Sequence, residues 1–159
     1  MDIYLIRHAE AVERGVLADF DRPLTDAGRA QAERLARALP VREAYVQRLF
    51  VSPLVRAKQT AEPLAAGWGL TGDAVLECDA LSPGSRPRKL ARWIAGHPAP
   101  TVGLVGHRPD LNEFAAWLIG SRKARIAMDK AGVALVRVEG DEPGKGSGEL
   151  IWLLPYAWV

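Results

Sequence analysis

Cysteine is almost missing from this 159-residue chain: Cys78 stands alone. An intrachain disulfide framework and a thiolate metal cage are therefore excluded. Long apolar runs are missing too. The longest, such as residues 114–120 (FAAWLIG), are far too short to cross a bilayer. The short run between Asp2 and Arg7 does not read as a secretory leader, and none is expected. Nor does one sign of charge dominate. Basic residues number 21 and acidic ones 19, a net charge of +2, so no broad surface for nucleic acid is expected. No internal repeat or long linker shows. What is present is 48% apolar and 25% charged, the balance of an ordinary globular protein. One domain over residues 1–159, cytoplasmic and with no membrane partner, is the expectation.

The chain alternates strand-like and helix-like stretches. Residues 2–6 (DIYLI) are β-branched and aromatic, which reads as a strand buried on both faces. Residues 11–24 are polar and irregular, marked by Gly15 and Pro23. From Thr25 onward, Ala27, Ala30, Leu35 and Leu39 fall near one helical face. Thr25 suits the N-cap, Asp26 the first turn, and Pro40 should stop the helix. Residues 46–52 form the next strand, and Pro53 at the first helical position should open a helix through to Gly67. Residues 74–81 (AVLECDAL) are strand-like, and residues 87–96 make a short amphipathic helix closed by Gly96 and Pro98. Residues 101–106 (TVGLVG) are a third buried strand, after which Pro109 opens a helix to Gly120. Two last strands, 132–140 and 148–155, flank a Gly-rich turn. The alternation implies an α/β three-layer sandwich around a mostly parallel central sheet. The final link is too short for a crossover and predicts an antiparallel edge pair at the C-terminus.

In open parallel sheets the ligand crevice lies outside the carboxyl ends of the strands. Three such ends carry one chemistry: residues 5–10 (LIRHAE), 50–56 (FVSPLVR) and 104–110 (LVGHRPD). Each alone is unremarkable, since a lone buried His is more often structural than catalytic. His97 fits that blander reading, in a helix-terminating turn beside Gly96 and Pro98. Together, Arg7, His8, Arg56 and His107 at one crevice would repel one another and resist burial. An anion removes that objection. Guanidinium groups match phosphoryl oxygens bidentately, and Arg56 falls in the first turn of a helix, where free N–H groups also favour an anion.

The same residues carry a resemblance. Residues 5–11 (LIRHAEA) are similar to the defining Arg-His motif of the histidine phosphatase superfamily, and residues 22–36 (RPLTDAGRAQAERLA) to its first helix and the approach to it. Residues 51–64 (VSPLVRAKQTAEPL) resemble its Ser-Pro-x-x-Arg-Ala-x-Gln-Thr-Ala stretch, and residues 104–111 (LVGHRPDL) its second-histidine motif. They run in family order from residue 3 to about 120, and the chain looks most like the short phosphohistidine phosphatases of the SixA type. The resemblance implies a phosphatase needing no metal or cofactor. His8 would be the nucleophile, Arg7 and Arg56 would hold the phosphoryl oxygens, and His107 would donate a hydrogen bond to them.

Two departures bear on the substrate. Ala9 stands where the superfamily commonly has Gly, a change the short phosphohistidine phosphatases tolerate. The general acid is weakly marked: Asp79 is the candidate, but its surroundings (CDALSPG) do not match the usual Glu context. Glu10, Glu13, Asp19 and Asp21, ahead of the first helix, read as solvated loop charges. A phosphorylated imidazole leaves readily, whereas an alkyl phosphate needs a positioned acid. No lid-sized insertion follows His8 or Arg56. Both features favour phosphohistidine on a protein as substrate, with small phosphate esters as the alternative. A metal hydrolase on His8, His107 and His97 is opposed by the neighbouring Arg charges. A non-catalytic phosphate-binding module would be expected to lose His8 first. The Gly-rich turn and the aromatic tail could touch a partner, although a flexible turn and a packed last strand are the simpler readings. Trp152 and Trp158 could mark a dimer contact, and a monomer or weak dimer is expected.

Overall fold

Four consecutive buried residues in the first strand decide the architecture. In β1 (Asp2–Arg7), Ile3 and Leu5 point into one apolar core while Tyr4 and Ile6 point into another, the period-two alternation of a strand covered on both sides. The computed structural model describes residues 1–15, 17–121 and 123–159. Among them lie α1 (Asp26–Val41), β2 (Arg48–Val51), α2 (Val55–Gly67), β3 (Val75–Glu77), α3 (Pro87–Ala95), β4 (Thr101–Gly106), α4 (Asp110–Leu118), β5 (Val133–Val138) and β6 (Gly148–Leu154). The strands form one sheet in the order β3-β2-β4-β1-β5-β6. The first four in that order are parallel. β5 runs antiparallel to both β1 and β6, so the expected edge pair is present and the reversal begins at β5.

One core packs α3 and α4, through Leu90, Ile94, Leu111 and Phe114, on Ile3, Leu5, Phe50 and Leu104. The other packs α1 and α2, through Leu35, Leu39, Ala57 and Leu64, on Ile6, Leu49, Val51 and Val105. The result is the three-layer sandwich expected from the alternation. Among the described residues no helix is long and apolar enough to cross a membrane.

Three boundaries differ from expectation. Pro40 does not stop α1 but lies in its last turn, which ends at Val41. The ring removes the bond that the Ala36 carbonyl would accept. Gly67 packs where a Cβ would stand 2.9 Å from that same oxygen, so α1 and α2 meet closely at this point. Pro53 is not the first helical residue; α2 begins at Val55 with Leu54 as N-cap. The sheet bonding extends one residue past β2, Ser52 N–H donating to Val105 O at 3.0 Å, and the chain turns through Pro53 and Leu54 before the helix starts. The strand in residues 74–81 is three residues long and passes into a 3-10 turn, Asp79–Leu81. Thr25 is the N-cap of α1 as read, its hydroxyl accepting from Gly28 N at 3.0 Å. Gly28 itself is required, because a Cβ there would lie 1.9 Å from Glu10 O. That contact seats the helix directly against the loop leaving β1.

Candidate active site

Sheet register assembles the site. Arg7 pairs with Gly106 on β4, and Val51 on β2 pairs with Val105. The next residues, His8, His107 and Ser52, therefore emerge side by side at the carboxyl edge. His8 N–H still bonds Gly106 O at 3.0 Å, which holds the backbone at the point where the sheet ends. Arg56 enters from the first turn of α2. These four predicted residues, Arg7, His8, Arg56 and His107, all line one cavity of about 510 Å³. Among the described residues, Arg14, Arg22, Arg108 and Lys130 line it too, against a single carboxylate, Glu13. Six cations and two imidazoles around one space, counted among the described residues, give it a potential that favours a multiply charged anion.

The histidines are oriented by their partners. His8 Nδ1 lies 2.7 Å from Ala9 O, and a carbonyl can only accept, so Nδ1 carries the proton. Its Nε2 is left with a lone pair. The rings of His8 and His107 lie 5.0 Å apart between centroids. His107 Nε2 lies 2.7 Å from Ser52 Oγ. That hydroxyl is fully buried and already accepts, weakly, from Leu54 N at 3.5 Å. Its proton has the imidazole nitrogen as its acceptor, which makes Nδ1 the protonated nitrogen of His107 as well. Among the described residues, His107 Nδ1, Arg7 Nε and Arg56 Nε are buried donors without a hydrogen-bond partner. Groups so placed normally have one. All three belong to residues that line the cavity.

Electrostatics keep both rings neutral. Burial, reinforced by the charges of Arg56, Arg7 and Arg22, lowers the His8 pKa to about 4, against the opposing pull of the Ala9 carbonyl. Burial, followed by His8 and Arg56, lowers that of His107 to about 3. A neutral imidazole with a free Nε2 is a nucleophile at neutral pH. The guanidinium groups are clamped. Arg56 donates to Asp19 O and, at 3.1 Å, to Asp19 Oδ2, while Arg22 donates twice to Asp19 Oδ1 at 3.0 and 2.7 Å. Arg7 Nη1 donates to Met128 O at 2.9 Å. Thr60 ties α2 to β1, accepting from Ala9 N at 3.1 Å and donating to Arg56 O at 2.7 Å.

The carboxylates sort themselves by position. Asp79 is exposed on its 3-10 turn and does not line the cavity. Glu10 is held by Thr25 Oγ1 at 3.0 Å and lies 3.6 Å from Lys130. Asp19 is an anchor: burial raises its pKa, but hydrogen bonds from Arg22 and Arg56 outweigh that and hold it below the usual carboxylate value. Asp21 is exposed away from the cavity wall, whereas exposed Glu13 lines it. His97 is elsewhere, its Nδ1 donating to Trp93 O at 2.8 Å and its ring stacked on Trp93. Among the described residues no group of three His, Cys, Asp or Glu could hold a metal ion.

Sequence reasoning passed over Arg22 and gave Ser52 no role toward His107. Arg22 is 92% buried within an irregular loop, where no periodicity marks it. Its one signal was an Arg directly before Pro23.

Residues 3–82 match the family described as histidine phosphatase superfamily (branch 1). An uncharacterized protein of Picosynechococcus sp. is 37% identical over 86% of this chain and 85% of its own length. The structure of the protein histidine phosphatase SixA complexed with tungstate superposes with a TM-score of 0.86 at 22% identity, covering 99% of this chain and 98% of that one. The alpha-ribazole phosphatase of Shigella flexneri superposes with a TM-score of 0.75 at 19% identity, covering 98% and 97%. At such identities the two structural likenesses concern the fold.

Proposed function

The chain belongs to the histidine phosphatase superfamily, and from that premise we propose that it is a metal-independent phosphohistidine phosphatase acting on a phosphorylated protein. The observation that carries the reading is a neutral His8 with Nε2 free, facing a cavity lined by cations. Nε2 attacks phosphorus, the bond to the leaving group breaks, and a phosphoryl group rests on His8. Water then attacks that intermediate and phosphate departs, returning the electron pair to Nε2. Arg7, Arg56 and His107 Nδ1–H hold the oxygens through both steps, and phosphoryl transfer asks for little more than such positioning and charge.

The substrate class rests on the leaving group. Among the described residues the one carboxylate on the cavity wall is the exposed Glu13, and Asp19 is kept ionised by two guanidinium groups. An imidazole leaving group takes its proton from solvent, whereas an alkoxide is penalised by about 10²–10⁴ in rate without a positioned acid. The test compares kcat/KM for a phosphohistidine peptide, phenyl phosphate and an alkyl phosphate, with and without EDTA. The expected order is phosphohistidine, then phenyl, then alkyl, unchanged by EDTA or by Asp79→Asn. An alkyl phosphate turned over as fast as phosphohistidine would favour the small-ester reading. Loss in EDTA, restored by a divalent ion, would contradict metal independence.

The low histidine pKa values make a second expected result. The acid limb of kcat/KM should lie near pH 4, once the second phosphate ionisation of the substrate near pH 6 is allowed for. A limb at about pH 6.5 would mean that His8 is not held neutral. The same shifts bear on stability, with the sign fixed by the unfolded chain taking protons first. Each ring's contribution is complete above its unfolded value of about 6.5 and is lost as pH falls towards 4 and 3. That loss is on the order of 3 kcal/mol for His8 and 5 kcal/mol for His107.

Ser52 is a positioning residue in this scheme. Ser52→Ala removes the donor that keeps the proton off His107 Nε2. Turnover should fall by about ten- to a hundredfold with KM little changed, and the ¹⁵N signals of His107 should show a mixed tautomer. Unchanged tautomer signals would show that the hydroxyl has no such role.

A further inference from the structure

Beside the active cavity lies a larger one, of about 720 Å³, and Arg108 lines both. Among the described residues, Trp117 and Ile126 supply its apolar lining, while Arg88, Arg125 and Lys145 line it with Arg108 against one carboxylate, Glu113. Arg88, Arg108, Arg125 and Lys145 are all exposed. The Gly-rich turn after β5 is what brings Lys145 here. Gly146 N–H donates to Trp117 O at 3.1 Å, and Gly120 and Gly146 pack backbone to backbone, where a Cβ on Gly120 would stand 3.1 Å from Gly146 Cα. Both glycines have positive φ, +75° and +79°, a conformation that favours residues without a side chain. The turn is thus fixed to the end of α4 with its lysine on the groove.

We propose that this groove docks an acidic, partly apolar polypeptide segment flanking the phosphohistidine of the substrate protein. The inference rests on the phosphohistidine reading above and names the surface that the partner presents. Two observations choose the occupant. The groove adjoins the active cavity, Arg108 lining both, so a chain lying in it would place a neighbouring side chain close to His8. Its net positive lining over an apolar floor complements Asp and Glu alternating with Leu or Phe, whereas a nucleic acid would gain little from that floor. Charge at the rim of such a surface acts mainly on encounter and affinity rather than on the chemical step.

The experiment uses two short synthetic peptides, each with a central histidine phosphorylated by phosphoramidate. One carries Asp, Glu and Leu flanks and the other Lys and Leu flanks. Free phosphohistidine serves as the internal reference. Wild-type protein should favour the acidic peptide by about tenfold in kcat/KM, mostly through KM, and lose the preference in high salt. R88E/K145E should abolish the preference and leave free phosphohistidine turnover within about twofold. Equal turnover of both peptides by wild type, or a preference that survives R88E/K145E, would overturn the groove while leaving the phosphohistidine reading intact. Failure to hydrolyse any of the three would overturn that reading and the groove with it. A single-stranded DNA that inhibits as strongly as the unphosphorylated acidic peptide would also overturn the assignment, by making the groove a site for any polyanion.

Discussion

His8→Ala should lower turnover by about 10⁴-fold or more while leaving the thermal midpoint within a few degrees of wild type. The first half follows from chemistry. His8 Nε2 is the free lone pair at the cavity, the companion ring nitrogen being bound to Ala9 O, and no neighbour can replace it. His107 has its Nε2 taken by Ser52 and its Nδ1 protonated. Removal of a nucleophile that forms a covalent intermediate has effects of this size in other enzymes. The second half follows from packing. The neutral ring is held by one hydrogen bond, to Ala9 O, and stands at the cavity edge rather than in either apolar core, so its truncation leaves the packing of the fold in place. Steady-state kinetics beside a melting curve checks both. A variant retaining a tenth of wild-type activity would end the nucleophile assignment.

Arg56→Ala should cost about 10²- to 10³-fold in kcat, or about 3–4 kcal/mol of transition-state stabilisation. Arg56 is 2% exposed at the N-terminal turn of α2 and lines the cavity. Burial lowers its pKa, yet the hydrogen bond and charge of Asp19 oppose this, and the guanidinium stays charged. It therefore offers a fixed positive fork where charge develops on the phosphoryl oxygens. Arg56→Lys should recover little, because an ammonium cannot bond Asp19 and a phosphoryl oxygen with the same planar geometry. Asp19→Asn separates the two roles: it leaves both charges but loosens the clamp, so KM should rise more than kcat falls. A mild effect of Arg56→Ala on both constants would place the group outside the reacting complex.

The order of strands and helices was legible because the two periods of burial differ so plainly, as in Ile3 to Ile6 against Leu35 and Leu39. Arg7, His8 and His107 were legible for a related reason. A polar pair directly after a buried parallel strand has one place to go, the carboxyl edge. Arg22 was not, because an irregular loop has no period and its guanidinium is placed by Asp19 and Val12 O, partners settled only by tertiary contact. The acid candidate failed to reach the cavity for a local reason. After Glu77 the chain turns into a 3-10 segment stitched by Leu81 N to Cys78 O at 2.9 Å, which leaves Asp79 on the surface. Pro40 and Pro53 show that a breaker marks a boundary only to within a turn, since sheet bonds and helix contacts choose the last residue.

The central claim is a phosphoryl group carried on His8, and rapid quench with a ³²P-labelled substrate tests it most directly. Denatured within milliseconds of mixing, wild-type protein should carry label that is lost in acid and kept in base, as a phosphoramidate requires, and that maps to the peptide containing His8. The burst should approach one phosphoryl group per chain when breakdown of the intermediate is slower than its formation. His8→Ala protein should carry none. Label that survives acid, or an unlabelled wild-type enzyme turning over at full rate with hydrolysis in a single step, would contradict the account.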